Sequence, residues 1–114
     1  MIVILIKDFL KKKLKKNVFC EHQKNENEME SFILIEKTGS SKSNQLKSST
    51  FAFQSYSQIS LYEAMKLNEE VKNAVEELIE LKEIASVKIN GDYNFTDEET
   101  KKYRYQAVFE IKHY

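Results

Sequence analysis

Cys20 and His22 are the first residues whose types and spacing could do chemistry. A thiol and an imidazole can form a nucleophile–base pair or supply two ligands to zinc. Zinc needs three protein ligands plus water in catalytic sites and four ligands in structural ones, and the chain's only other histidine is His113. A Cys–His dyad also needs the side chains to meet and a third group to orient the base. Alternate residues of a short strand over Val18–His22 project to one side without being set for proton transfer. The reading is a small buried thiol beside an edge histidine, with no metal. The tract TGSSKSN (Thr38–Asn44) holds serine and glycine but lacks the P-loop spacing and its Lys-Ser/Thr pair. No catalytic residue, cofactor site or enzymatic activity is therefore expected.

The elements around these residues follow from periodicity. Val3, Ile6, Leu10 and Leu14 recur at helical spacing, widened by Ile2, Leu5 and Phe9, which predicts an amphipathic helix from Ile2 to about Lys16, ended at Asn17. Residues 1–16 carry six lysines against Asp8. That charge is a solvated face or a contact surface for nucleic acid or an acidic partner; lysines without arginine or interleaved aromatics do not read bases. The apolar run Ile2–Ile6 is five residues, too short to cross a bilayer, and no signal-peptide pattern is present.

After the polar segment Gln23–Glu30, SFILIEK (Ser31–Lys37) reads as a central strand covered on both sides, and Thr38–Asn44 as its hairpin connection, with Gly39 available for positive φ. Leu46–Tyr56 is the next strand, with Phe51 and Phe53 on one face, Ala52, Gln54 and Tyr56 on the other, and a polar start suited to an exposed extension. Ser60-Leu61-Tyr62-Glu63 has the form of a capping box. It opens a helix to about Leu81 or Lys82 with the stripe Leu61, Ala64, Leu67, Val71, Ala74, Val75, Leu78 and Leu81. Residues 61–83 hold seven glutamates against three lysines, either a solvated face or a complement to the basic first helix of a neighbouring subunit.

Ile84–Ile89 is a fourth regular strand with Ala85, Val87 and Ile89 inward. Asn90-Gly91 could turn the chain at once, but a longer loop from Asn90 to Lys102 is preferred, with a second capping-box pattern at Thr96–Glu99 and a helical turn near Asp97–Lys101. The final strand alternates cleanly, with Tyr103, Tyr105, Ala107, Phe109, Ile111 and His113 facing the core. Arg104, Gln106, Glu110 and Lys112 lie opposite, on a face that would be wet in a monomer.

The whole is one domain of 114 residues with 18 basic and 18 acidic side chains, so no global charge draws it to nucleic acid. One cysteine excludes an internal disulfide. The expected class is α+β, in the order αβββαββ: an antiparallel sheet of about five strands with two amphipathic helices on one face.

Two segments, SLYEAMKLNEEVKNAVEELIEL (Ser60–Leu81) and NGDYNFTDEETKKYRYQAVFEI (Asn90–Ile111), carry a resemblance. The most specific residues are Asp-Tyr-Asn-Phe-Thr-Asp at 92–97, Thr100-Lys101, and Tyr-Arg-Tyr-Gln-Ala at 103–107. Together they resemble the tail terminator, or tail completion, proteins of long-tailed bacteriophages and prophages of Gram-positive bacteria, also described as minor capsid or head–tail joining proteins. The likeness covers the second half of the chain; the first half matches only in element order. It implies a structural protein of the virion, built in the host cytoplasm, that forms a homohexameric ring, caps the tail tube and halts its growth. The implied partners are further copies of the chain, the major tail tube protein and a head-side connector or completion protein, with no membrane and no direct nucleic-acid readout. The expected assembly contacts are Asp92, Tyr93, Asn94, Phe95, Asp97, Glu98, Glu99, Lys101, Lys102, Arg104, Gln106 and Glu110. A small nucleic-acid-binding module using the lysine-rich first helix is the alternative.

Overall fold

A computed structural model describes residues 1–43, 46–97, 99 and 102–114. The elements are α1 (Ile2–Leu14), β1 (Val18–Phe19), β2 (Ser31–Ser43), β3 (Leu46–Ser57), α2 (Leu61–Glu76), β4 (Ile84–Asn94) and β5 (Tyr103–His113). Short 3-10 helices at Glu26–Glu28 and Glu77–Glu80 complete the chain. The expected α+β class and the order αβββαββ are present.

The five strands form one sheet in the order β1-β2-β3-β5-β4. It is mixed rather than antiparallel: β1 runs parallel to β2, pairing Val18 with Ile33 and Phe19 with Leu34. Antiparallel neighbours can follow a tight turn, whereas parallel ones need a long crossover. Here residues 20–30 supply it, so the polar segment is a return path. Its Met29, with Phe19, packs on Phe32, Leu34 and Tyr56.

Both helices cover the opposite face. Ile6 and Leu10 from α1 join Val71, Val75 and Leu78 over Ile33, Ile35, Phe51, Phe53, Phe109 and Ile111 in one core. Phe53 meets Phe109 edge-on with ring centroids 5.8 Å apart, a preferred aromatic geometry. Ser60 Oγ accepts a 3.1 Å hydrogen bond from the Glu63 N–H, which caps α2 as the sequence suggests. Helix α1 ends earlier than expected, at Lys15: its N–H closes the last helical bond to the Lys11 carbonyl, and its left-handed backbone (φ 54°) then turns the chain out of the helix. Helix α2 also stops short, tightening into the 3-10 turn after Glu76.

Two connections are strands instead. Thr38–Ser43 is not a hairpin loop: β2 continues past an irregularity between Lys37 and Gly39 and pairs with β3 as far as Ser43 opposite Leu46. Asn44 lies outside the described residues. Asn90-Gly91 neither turns the chain nor opens a loop. β4 runs through it with a register shift between Ile89 and Gly91, and pairing to β5 extends to Asn94 opposite Tyr105. Neither glycine has positive φ, so the backbone that a tight primed turn needs is not adopted. A bulge absorbs the extra residue while the ladder continues.

Val18 is buried in the core, but Cys20 and His22 lie beyond the two-residue β1 on the return path. Cys20 is exposed, not a buried thiol. The strand ends before reaching it, so strand alternation does not govern its side chain.

Candidate functional site on the outer sheet face

β5 alternates as its sequence predicts. Ala107, Phe109, Ile111 and His113 are buried on the helix side, and Lys112 is exposed. Gln106 departs from the expectation of a wet opposite face: it is only 7% exposed, and its β3 neighbour Gln54 only 4%. Buried amides need partners, and the register supplies them by placing Gln54 opposite Gln106 and Gln106 opposite Tyr93.

Gln54 Nε2 donates to Gln106 Oε1 at 2.8 Å and more weakly to Glu36 Oε2 at 3.4 Å. Gln106 Nε2 donates to the Tyr93 hydroxyl at 2.6 Å. The Tyr56 hydroxyl donates to Gln54 Oε1 at 3.3 Å and accepts from Arg104 Nη1 at 2.8 Å. Arg104 Nε donates to the Phe95 carbonyl at 2.8 Å, and its guanidinium lies 4.2 Å from the Phe95 ring centroid. Residues on β2, β3, β5 and β4 are thus joined in one continuous network. Each member fixes the rotamer of the next, so the surface is held in one arrangement.

Tyr93 and Phe95 stand at the end of this network, rings edge-on at 5.9 Å. They remain 46% and 41% exposed. Aromatic groups that are held from below and open above are well suited as interface anchors, because little rotamer freedom is left to lose. Behind them, Phe32 stacks on Tyr56 at 4.4 Å. Burial pushes the Tyr56 hydroxyl above its ordinary pKa, against the opposing influence of Arg104, so it stays a neutral donor.

Beside the network, a cleft of about 310 Å³ is lined by residues including Glu26, Met29, Phe32, Tyr56, Gln58 and Lys102. Glu26, on the return path, is 8% exposed. It accepts from His22 Nδ1 and the Gln23 N–H at 3.0 Å, and Lys102 Nζ lies 3.5 Å away. Burial opposes its ionisation, but the His22 hydrogen bond, the Gln23 N–H and the charges of His22 and Lys102 outweigh it. The carboxyl is held below its ordinary range.

Of the expected contact residues, the structure gathers Tyr93, Phe95, Arg104 and Gln106 into one patch and places Lys102 at the neighbouring cleft. Asp92 faces the other way: its carboxylate accepts from Lys72 Nζ at 3.1 Å and Asn68 Nδ2 at 3.5 Å, tying β4 to α2. Asn94 Oδ1 accepts from the Thr96 N–H at 3.0 Å and its hydroxyl at 2.6 Å, closing the start of the 95–102 connection. Asp97 bridges to Lys102 through the backbone, and its Oδ1 accepts from the Glu99 N–H at 3.0 Å. Glu110 lies on the outer face toward the other end, near Ser41, Ser43 and Lys112. Glu98 and Lys101, and with them the expected helical turn, lie outside the described residues.

Sequence reasoning set Gln54 and Tyr56 opposite Phe51 and Phe53 but did not count them, or Glu36, among the contact residues of this face. The signal was available: Gln54 and Tyr56 alternate with Phe53 along β3, so they share the face of Arg104 and Gln106. It also missed a Ser–His contact, with Ser49 Oγ 3.3 Å from His113 Nε2. His113 Nδ1 lies 3.4 Å from the Tyr114 carbonyl, so that nitrogen carries the proton and Nε2 accepts from the hydroxyl. Ser49 is 2% and His113 5% exposed. The pair joins β3 to β5 from inside the helix-side layer.

Among the described residues, no three His, Cys, Asp or Glu side chains are grouped to hold a metal, and no helix is long and apolar enough to cross a membrane. No model of a known protein family matches the chain, and neither does any curated protein.

Proposed function

We propose that this chain is a structural assembly protein of the tail-terminator type. It forms a homohexameric ring on the end of a phage tail tube, stops tube growth and presents a docking face to a head-side connector or completion protein. It works in the virion at the head–tail junction after assembly in the host cytoplasm, and it makes or breaks no bond.

The observation that carries this reading is the outer face. Tyr93 and Phe95 are exposed aromatics fixed by Arg104 and Gln106, and all four lie in the Asp92–Ala107 segment that most resembles the tail terminators. An ordered network of buried amides beneath open aromatic rings provides a rigid surface for another protein.

The test is assembly with a major tail tube protein from the same phage or prophage. Electron microscopy should show rings at the ends of tubes of uniform length, and light scattering should show association of the free chain as its concentration rises. A chain that stays monomeric at every concentration and leaves tube length uncontrolled would refute the reading. The lysines of α1 motivate a second reading, a nucleic-acid-binding module, which predicts DNA retention that falls steeply with salt.

A further inference from the structure

The cleft beside the outer-face network has a fixed wall and an unbalanced charge. Gln58 ties the end of β3 to the return path at two points: its N–H donates to the Glu30 carbonyl at 2.9 Å, and its Nε2 donates to the Asn27 carbonyl. With Nε2 so engaged, the side-chain oxygen of Gln58 is left as an acceptor at the cleft. Glu26 and Glu30 also line it, against one cation, Lys102. The Lys102 amine is already turned to Glu26, at 3.5 Å. Half-buried Met29 and the Phe32 ring supply the apolar part of the lining.

Any occupant strips water from this lining, and a carboxylate that loses water without gaining a charge partner is costly. An apolar group would impose that cost on Glu26, which is only 8% exposed, and an anion would add repulsion from two carboxylates. A cation on an apolar stem matches both halves of the lining. Guanidinium suits it better than ammonium, being flat, weakly hydrated and able to donate to several acceptors at once. The chain seats its own Arg104 in this way, with the guanidinium 5.4 Å from the Tyr56 ring centroid and 4.2 Å from that of Phe95. The volume, about 310 Å³, is at the small end of ligand pockets, the scale of one long side chain rather than of a large cofactor. Tyr56 belongs to both the network and the cleft, so a protein seated on the outer face borders it.

We propose that the cleft receives an arginine side chain of the protein that docks on the outer face. This rests on the assembly reading for the docking protein and adds to it the chemistry by which that protein is recognised. The stem of the arginine lies against Met29 and Phe32, and its guanidinium meets Glu30, the Gln58 oxygen and the charge of Glu26. Lys102 acts against it, because its amine already offsets part of the Glu26 charge.

The experiment titrates the full-length chain with N-acetyl-arginine amide and follows the backbone amide signals by NMR. N-acetyl-citrulline amide, which has nearly the same shape without the charge, and N-acetyl-lysine amide are the comparison arms. The arginine probe should shift the signals of Glu26, Met29, Glu30, Gln58 and Lys102 and saturate on the order of 1–10 mM, as fits a single side chain. The lysine probe should bind about threefold more weakly, and the citrulline probe should not saturate. Lys102→Ala should tighten arginine binding by about threefold at low salt, and Glu30→Gln should weaken it by about as much. Glu26 is left in place because it also holds His22 and Gln23. Tighter binding on removal of Lys102 is a result that a merely structural lysine would not give. Absence of saturable shifts, equal binding of the citrulline or lysine probe, or weaker binding by the Lys102→Ala chain would overturn the proposal. Such a failure with tubes still capped leaves the assembly reading standing. Saturable arginine binding by a chain that leaves tube length uncontrolled overturns that reading and upholds the ligand class of the cleft.

Discussion

The two faces of the sheet use the same alternation to opposite ends. On the helix side Phe51, Phe53, Phe109 and Ile111 are sealed under α1 and α2 and held by packing. On the outer side Gln54, Tyr56 and Gln106 are nearly as buried, yet what covers them is one another and the return path from β1. The first face derives its order from apolar area, which is non-directional. The second derives it from hydrogen bonds with defined donors and acceptors, which are directional and fix a surface as well as a fold. The difference lies in what each face is free to do: the helix side is closed, while the outer side ends in Tyr93 and Phe95, open to a partner.

Substitutions should separate the faces by size of effect. Phe53→Ala or Phe109→Ala removes a ring from the closed core and should destabilise the chain by about 3–5 kcal/mol in urea unfolding. A loss below 1 kcal/mol would mean the helix side is not the packed core. On the outer face, Gln106→Ala strands the Gln54 amide and should cost about 1–3 kcal/mol. The double variant Gln54→Leu/Gln106→Leu should cost less, because both amides are removed together and only the long 3.3 Å donation of the Tyr56 hydroxyl is lost, that hydroxyl keeping its bond from Arg104; equal costs would show that the network is not directional in the sense argued. The smallest effect belongs to Asp92→Asn at the partly exposed Lys72 pair, about 0–1 kcal/mol and weaker in high salt.

Acid should probe both faces. Burial, together with the nearby Lys47 and Lys37, depresses the His113 pKa below 6.5 against the opposing Tyr114 carbonyl. The neutral ring is therefore favoured in the folded chain. Its contribution is intact above the unfolded value and declines as pH falls from 6.5 toward the depressed folded value. Glu26 is likewise depressed, so its contribution is present above 4.5 and is lost as pH falls through the lower folded value. Stability should thus fall in two steps on acidification. His113→Gln should remove the upper step and Glu26→Gln the lower, as followed by thermal melting across pH.

Much of this fold is legible in residue types. Alternation in β3 and β5, the stripes of both helices and the Ser60 cap all reflect local physics that a sequence displays directly. The parallel β1 was hidden because two residues carry no directional signal; only the crossover through residues 20–30 decides it. Asn90-Gly91 misled because turn preference is weak beside a ladder that can continue through a bulge. The patch was half legible. Arg104 and Gln106 stand out in their own strand, but Glu36, Gln54 and Tyr56 join them only through strand register, which relates residues distant in sequence. Asp92 illustrates the reverse, a neighbour of Tyr93 in the chain that a single step of alternation sends to the helix side.

The central claim is that Tyr93 and Phe95 act as open anchors of a rigid docking face. The most direct measurement is tail length by electron microscopy for the double variant Tyr93→Ala/Phe95→Ala, alongside its melting temperature. The account predicts a folded chain with modestly reduced stability, whose tubes are uncapped and of irregular length. Capped tubes of normal length, formed by a chain that has lost both rings, would contradict it.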